Sequence, residues 1–113
     1  MNLLAKEVNG ALVVTISESR IDAAVAIQFK DKMRELTEFS PDRVVLDLSG
    51  VEFLDSSGLG AVVAAMKQLG SGKTLELSGL TNTVKKVFRL TRMDSVFAIH
   101  DSLTAAVGQA HAS

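Results

Sequence analysis

The sequence contains no cysteine. Disulfide bonds, thiolate nucleophiles and cysteine-ligated metal ions are therefore excluded, which fits a reducing compartment. Tryptophan and tyrosine are also missing, and the five phenylalanines are a poor supply of stacking surfaces for single-stranded nucleic acid. The 12 basic and 13 acidic residues nearly cancel, so the chain lacks the basic excess of an electrostatic nucleic-acid binder. We expect a protein that does not bind nucleic acid directly.

Long apolar runs are absent too. The longest, from Ala61 to Met66, is far too short to cross a membrane, and the first residues lack the basic segment and apolar run of a signal peptide. These features predict a cytoplasmic protein without membrane insertion. A chain of 113 residues, of which 47% are apolar, can bury one core. We expect a single domain over residues 1–113, ordered over roughly residues 2–110.

The beginning of the chain predicts an antiparallel hairpin. Asn9-Gly10 separates two apolar-alternating runs, 2–8 and 11–17. An Asn-Gly pair between such runs is typical of a two-residue turn, because both turn residues need positive φ. Asp22 is placed to cap a helix, which must end before Ser40-Pro41-Asp42 because proline disfavours helical backbone in the preceding residue.

Strands and helices alternate after the hairpin. The further predicted elements are a strand over 43–49, a helix to about Leu69, a strand over Thr74–Leu77, a helix from Thr81, a strand over Val96–Ile99 and a last helix capped by Ser102. Alternating strands and helices require crossovers between parallel strands. The order ββαβαβαβα therefore predicts an α/β fold with a mixed sheet, in which the antiparallel hairpin joins parallel strands.

Apolar residues at helical spacing mark the face that each helix turns to the core. Leu59 lies in the first turn of its helix, where a side chain can also be exposed and contact a partner. The predicted inward-facing residues are Val25, Phe29, Met33 and Leu36 in the first helix, Leu59, Val62, Val63, Met66 and Leu69 in the second, Val84, Val87, Phe88 and Leu90 in the third, and Leu103, Ala106, Val107 and Ala110 in the last.

Residues 54–60, Leu-Asp-Ser-Ser-Gly-Leu-Gly, lie where a buried strand is followed by a helix. A helix start has unpaired N–H groups and the positive end of the macrodipole, which favour a phosphate, including one attached to a serine. Asp55, Ser56 and Ser57 supply three capping side chains where one would suffice, and Gly58 lets another backbone approach. On the residues alone, a simple helix cap and a functional site remain equally supported.

An enzymatic role for these serines has little support. A nucleophilic serine needs a base, and the histidines, His100 and His111, lie near a strand end and in the C-terminal tail. Residues 70–74, Gly-Ser-Gly-Lys-Thr, do not form a phosphate-binding loop, because position 67 is lysine and the segment joins a helix to a strand. The histidines and carboxylates have no metal-ligand spacing. We expect no catalytic residue, no metal and no cofactor.

The sequence from Val44 to Gly60, which contains Asp-Ser-Ser-Gly-Leu-Gly, resembles the signature of the STAS family. The resemblance implies the fold given above. It also implies a function, since the bacterial anti-sigma factor antagonists of this family bind an ATP-dependent anti-sigma factor that is also a serine kinase. In the unphosphorylated form such an antagonist captures the kinase and frees the sigma factor. The resemblance covers nearly the whole chain, continuing through residues 79–80, 84–88, 90–97 and 102–106.

The resemblance implies that the kinase phosphorylates the hydroxyl directly after the motif aspartate, which is Ser56 here. Ser57 is the alternative site, because both hydroxyls stand at the same turn. In the family, a PP2C-type phosphatase reverses the modification. A phosphate adds about −1.5 to −2 charges, which the start of a helix accommodates.

A docking surface is also implied by the resemblance. The family often shows Gly-x-Leu-Asp at the end of the second strand, and the corresponding residues here are Ser19-Arg20-Ile21-Asp22. The acid near the phosphosite is thus kept, whereas a serine replaces the glycine. The residues that carry over as partner contacts are Asp22, Asp55, Ser57, Gly58 and Leu59.

Two functions of different kinds follow from this resemblance. The first is a binding module that is switched by phosphorylation. The second is a constitutive STAS subunit of a larger complex, such as the accessory subunit of a lipid ABC transporter or a stress-sensing assembly. The free Ser56-Ser57 pair favours the first.

Overall fold

Two strands joined by the Asn9-Gly10 turn begin the fold. In a computed structural model that describes residues 1–108, β1 (Leu3–Val8) pairs antiparallel with β2 (Ala11–Ile16). The turn residues have φ angles of 50° and 83°, the left-handed backbone that an Asn-Gly pair adopts readily. The predicted hairpin is confirmed.

The main sheet continues from this hairpin. After it come β3 (Arg20–Ile21), α1 (Ala23–Thr37), β4 (Arg43–Asp47), β5 (Phe53–Leu54), α2 (Ser56–Gln68), β6 (Thr74–Ser78), α3 (Asn82–Leu90), β7 (Ile99–His100) and α4 (Leu103–Val107). The strand order is β1-β2-β4-β6-β7, with parallel pairing after the hairpin, which confirms the predicted α/β fold with a mixed sheet. Strands β3 and β5 pair in parallel as a separate small sheet. They were not predicted, because two residues carry no alternation pattern.

The core lies between the main sheet and helices α1, α2 and α3. Successive strand residues point to opposite faces, and the helix-facing residues of β2, β4 and β6 are Leu12, Val14, Ile16, Val44, Leu46, Leu75 and Leu77. The helices add buried apolar side chains, among them Phe29 of α1, Val62 of α2 and Phe88 of α3. Phe88 meets Phe97 edge to face, with ring centroids 5.9 Å apart. This core fixes the position of α2 over the sheet.

The buried residues of α2 are not all those that the sequence pattern predicts to face inward. Gly58, Ala61 and Ala65 are buried, whereas the larger Val63 and Met66 are half-buried. Small residues lie at the centre of the contact because they let the helix backbone approach the neighbouring elements closely. Hydropathy ranks these small residues below their larger neighbours, so the sequence pattern did not include them in the buried face. The predicted Val62 and Leu69 are buried, and Leu59, Val63 and Met66 pack against the core.

Leu90 was expected to face inward and is 82% exposed. It lies about 160° around α3 from the buried Phe88, which places it on the solvent side. The predictions for Ala110, His111 and the fraying tail concern residues 109–113, which lie outside the described part of the chain.

The last strand is shorter and later than predicted. The sequence pattern placed it over Val96–Ile99, but β7 comprises Ile99–His100. A 3-10 turn over Met93–Ser95 precedes it and leaves Val96 exposed while Phe97 enters the core. A single inward aromatic side chain within an irregular segment resembles a short apolar strand in sequence, which explains the error.

The sheet face opposite α1–α3 carries α4 and a cluster of charged side chains. Arg43 donates two hydrogen bonds to the Glu76 carboxylate, from Nε to Oε2 at 2.7 Å and from Nη2 to Oε1 at 2.8 Å. The same Nη2 donates to the carbonyl of Ala106 in α4, and His100 Nε2 lies 2.8 Å from Glu76 Oε1. The hydrogen bond from Arg43 holds the pKa of Glu76 below its ordinary value of 4.5, although burial acts in the opposite direction. The cluster thus ties three strands and a helix together.

Acid should weaken the fold through Glu76. Its pKa is lower in the folded than in the unfolded state, so its stabilisation is present above about pH 4.5 and is lost as the pH falls through the folded-state pKa. Urea unfolding between neutral pH and about pH 3 should show a smaller loss of unfolding free energy in Glu76→Gln than in the wild type. Glu35→Gln, at an exposed position without an ion pair among residues 1–108, is the control. Equal acid sensitivity of Glu76→Gln and wild type would contradict this role.

Candidate functional site

Helix α2 begins with two exposed serines that its cap does not use. Asp55 is the N-cap, and its Oδ1 accepts a hydrogen bond from the backbone N–H of Gly58 at 2.8 Å. Its carbonyl accepts from the N–H of Leu59 at 2.9 Å. Ser56 and Ser57 are both exposed. One aspartate therefore caps the helix, and neither serine hydroxyl at the helix start makes a hydrogen bond within residues 1–108.

The small β3–β5 sheet brings two acidic residues together at this site. Ile21 pairs with Leu54, and both side chains are buried, while the backbone N–H of Asp55 lies 3.4 Å from the Ile21 carbonyl oxygen. Asp22 and Asp55 directly follow this pair, so parallel pairing places them at neighbouring strand ends. Asp22 caps α1 by accepting a hydrogen bond from the N–H of Ala24 at 3.1 Å. The start of α1 and the start of α2 thus form one acidic edge.

Gly58 fixes the distance between α2 and the small sheet. A Cβ atom at this position would overlap the carbonyl oxygen of Ile21 and come within 2.9 Å of Leu54 Cδ1. Gly58 is therefore buried, and only a glycine lets the first turn of α2 approach β3 so closely. Leu59 is half-buried against the core, whereas Gly60 is exposed with open space around it.

Arg20 and Phe53 lie on the outside of the small sheet, each two residues before one of the two aspartates. They are direct partners in the β3–β5 register, and the Arg20 guanidinium carbon is 4.1 Å from the centroid of the Phe53 ring. Arg20 Nε is 3.7 Å from Asp22 Oδ2. Sequence reasoning missed both residues as members of the site. Only the pairing of β3 with β5, which two-residue strands do not reveal, brings them together.

Comparison with known proteins identifies the family. The STAS domain family model matches residues 2–106. The chain belongs to the STAS domain family. Two similar proteins are the anti-sigma-F factor antagonist RsfB of Mycobacterium tuberculosis and the putative anti-sigma factor antagonist BtrV of Bordetella bronchiseptica. Each is 29% identical; the RsfB match covers 88% of this chain and 84% of RsfB, and the BtrV match covers 94% of this chain and 91% of BtrV.

A solved structure agrees with this STAS fold. The crystal structure of an anti-sigma factor antagonist from Mycobacterium paratuberculosis superimposes with a TM-score of 0.82 at 28% sequence identity. The match covers 96% of this STAS domain and 94% of that chain. These three proteins are each named as an anti-sigma factor antagonist, BtrV with the qualifier putative.

The serine that replaces a glycine in this STAS domain causes no backbone conflict. Among the described residues, the non-glycine positions with positive φ are Asn9 and Arg92, so Ser19 has an ordinary backbone conformation. Its carbonyl accepts hydrogen bonds from the N–H groups of Glu52 and Phe53 at 2.8 and 3.1 Å. Those bonds start the pairing of β3 with β5, and they need no glycine.

Two negative findings concern the described part of this STAS domain. Within residues 1–108, no helix is long and apolar enough to span a membrane. The same residues include no group of three or more acidic or histidine side chains that could hold a metal ion.

Gly58→Ala should destabilise the domain by about 2 kcal/mol or more, because the added methyl group meets backbone atoms of Ile21 that cannot move alone. Gly60→Ala is the matched control in the same helix. It has open space around the new methyl group and should be neutral or stabilising by up to about 1 kcal/mol. Chemical unfolding of both variants measures the difference. Equal stability of the two would show that the close approach of α2 to β3 does not require a glycine.

Proposed function

We propose that this STAS domain is an anti-sigma factor antagonist controlled by phosphorylation of Ser56. In the unphosphorylated form it binds an ATP-dependent anti-sigma factor that is also a serine kinase, and thereby releases a sigma factor. The observation that carries the proposal is the pair of exposed serine hydroxyls at the start of α2, unused by the cap that Asp55 provides. The names of the similar proteins RsfB and BtrV support the same function.

The start of α2 suits a covalently attached phosphate. The first amides of a helix lack partners within the helix, and the Asp55 side chain occupies only that of Gly58. The amides of Ser56 and Ser57 are therefore available to phosphate oxygens, and the macrodipole of this 13-residue helix favours negative charge. We expect phosphorylation to leave the fold intact.

Phosphorylation would instead weaken the interface. The added group is bulky and carries about −1.5 to −2 charges, and it would stand beside the acidic edge formed by Asp22 and Asp55. Acidic groups that the partner presents to this edge would face the added charge. Placing like charges together across an interface costs several kcal/mol, and about 3 kcal/mol already weakens binding more than a hundredfold. The partner is released without any refolding of the antagonist.

The proposed docking surface is the acidic edge together with the first turn of α2. Asp22, Asp55, Ser57 and Leu59 are exposed or half-buried and are proposed as direct contacts. Gly58 is buried, so we assign it a positioning role beneath this surface. A PP2C-type phosphatase is the proposed second partner, which would remove the phosphate from Ser56.

His100 is not placed to act as a base for Ser56. His100 lies in β7 on the α4 side of the main sheet, where its Nε2 contacts Glu76. The core separates it from α2. A hydroxyl that receives a phosphate from a kinase needs no base of its own.

Ser56→Ala should abolish phosphorylation by the anti-sigma factor kinase, because it removes the accepting hydroxyl. Ser57→Ala keeps the accepting hydroxyl and should still be phosphorylated on Ser56. The kinase can be identified as the ATP-binding protein that co-purifies with Ser56→Ala, and peptide mass spectrometry after incubation with ATP locates the phosphate. The reverse pattern would move the switch to Ser57, and unmodified wild-type protein would favour a constitutive subunit of a larger complex.

Ser56→Asp should bind the same kinase at least tenfold more weakly than Ser56→Ala, because it adds charge to the acidic edge. Isothermal calorimetry with the purified kinase measures both affinities. Ser71→Asp, which adds the same charge at an exposed position in the turn after α2, is the control and should bind as the wild type does. If Ser56→Asp and Ser56→Ala bound equally well, the switch would not operate through charge at this position.

A further inference from the structure

Arg20 and Phe53 form an exposed pair next to the proposed docking surface. The Arg20 side chain is 59% exposed although its guanidinium lies over the Phe53 ring, which is itself 36% exposed. A guanidinium over an aromatic face is attracted electrostatically by the ring quadrupole and also gains van der Waals contact by stacking on the ring. The ring therefore restricts the positions of a side chain that would otherwise be mobile in solvent.

Most of the hydrogen-bonding capacity of Arg20 is unused. A guanidinium carries five N–H donors, and its approach to Asp22 is 3.7 Å, longer than a hydrogen bond. Within residues 1–108, Arg20 has no side-chain hydrogen bond. A stacked guanidinium with free donors is already arranged to receive a planar acceptor, so little conformational entropy is lost when one binds.

The strand geometry places this pair on the same surface as the two aspartates. Side chains alternate along a strand, and the buried Ile21 and Leu54 occupy the inner face of the small sheet. Arg20 and Phe53 therefore share the outer face with Asp22 and Asp55. Along this surface the Arg20–Phe53 pair comes first, the two aspartates come next, and the serines at the start of α2 follow.

The geometry points to Arg20 as a specificity-determining residue of the interface in the proposed function, on which this inference rests. Its guanidinium, held on Phe53, pairs with a carboxylate side chain of the anti-sigma factor. A carboxylate matches the fork of a guanidinium with two parallel hydrogen bonds. A partner that places a basic side chain opposite Arg20 is disfavoured by like-charge repulsion.

Calorimetry with the unphosphorylated chain and its purified anti-sigma factor tests this role. Arg20→Met keeps an apolar stem over Phe53 but removes the charge, and it should bind about tenfold more weakly. Arg20→Glu should bind about a hundredfold more weakly, because it places two acids in opposition. Arg34→Glu makes the same charge change in the last turn of α1, far from the β3–β5 sheet, and should bind like the wild type. Replacing the opposing acid of the partner with lysine should restore binding to Arg20→Glu.

The outcomes separate this inference from the proposed function. Failure of the wild-type chain to bind would overturn the proposed function itself. Wild-type binding that Arg20→Met and Arg20→Glu both retain in full would overturn only the role of Arg20. A change confined to the Ser56-phosphorylated chain would also overturn it, because Arg20 would then contact the phosphate. Thermal unfolding of each variant establishes that it is folded, and Arg20→Met decides the question if Arg20→Glu is not.

Discussion

The close approach of α2 to β3 is the constraint on which the rest of the site depends. It exists because position 58 has no side chain, so that the first turn of the helix can lie against the carbonyl of Ile21. Through this contact, two segments more than thirty positions apart, β3 and the start of α2, form one surface. The contact sets the exposed serines of α2 beside the β3–β5 sheet that carries the Arg20–Phe53 pair.

Much of the fold follows from local sequence signals. The Asn9-Gly10 turn, the cap at Asp22 and the alternation of strands and helices each depend on a few neighbouring residues, and each appears in the structure. Errors arise where the signal is not local. Leu90 shares its helix with core residues but lies on the other side of it, and Phe97 enters the core from a turn rather than from a strand.

The candidate site divides in the same way. Asp55 and the two serines are contiguous in sequence, so their position at a helix start could be predicted. Arg20 and Phe53 could not be recognised as a pair, since their contact depends on two strands of only two residues each. The prediction that Gly58 lets another backbone approach is confirmed, but the sequence did not reveal that this backbone is that of Ile21 in β3. Tertiary packing alone identifies the neighbour.

The two aspartates that border the serines serve the fold and the surface at once. Each caps a helix with one carboxylate oxygen. A substitution that removes the charge of either aspartate therefore keeps the cap only if the new side chain also supplies a capping oxygen. The Arg20 side chain caps no helix and, within residues 1–108, makes no hydrogen bond to the backbone. Among descendants of this gene, substitutions at Arg20 would therefore cost the fold little stability, whereas substitutions at Asp22 and Asp55 would cost more. New pairings between duplicated copies and their regulators would arise first at the small sheet, with the serine switch left unchanged.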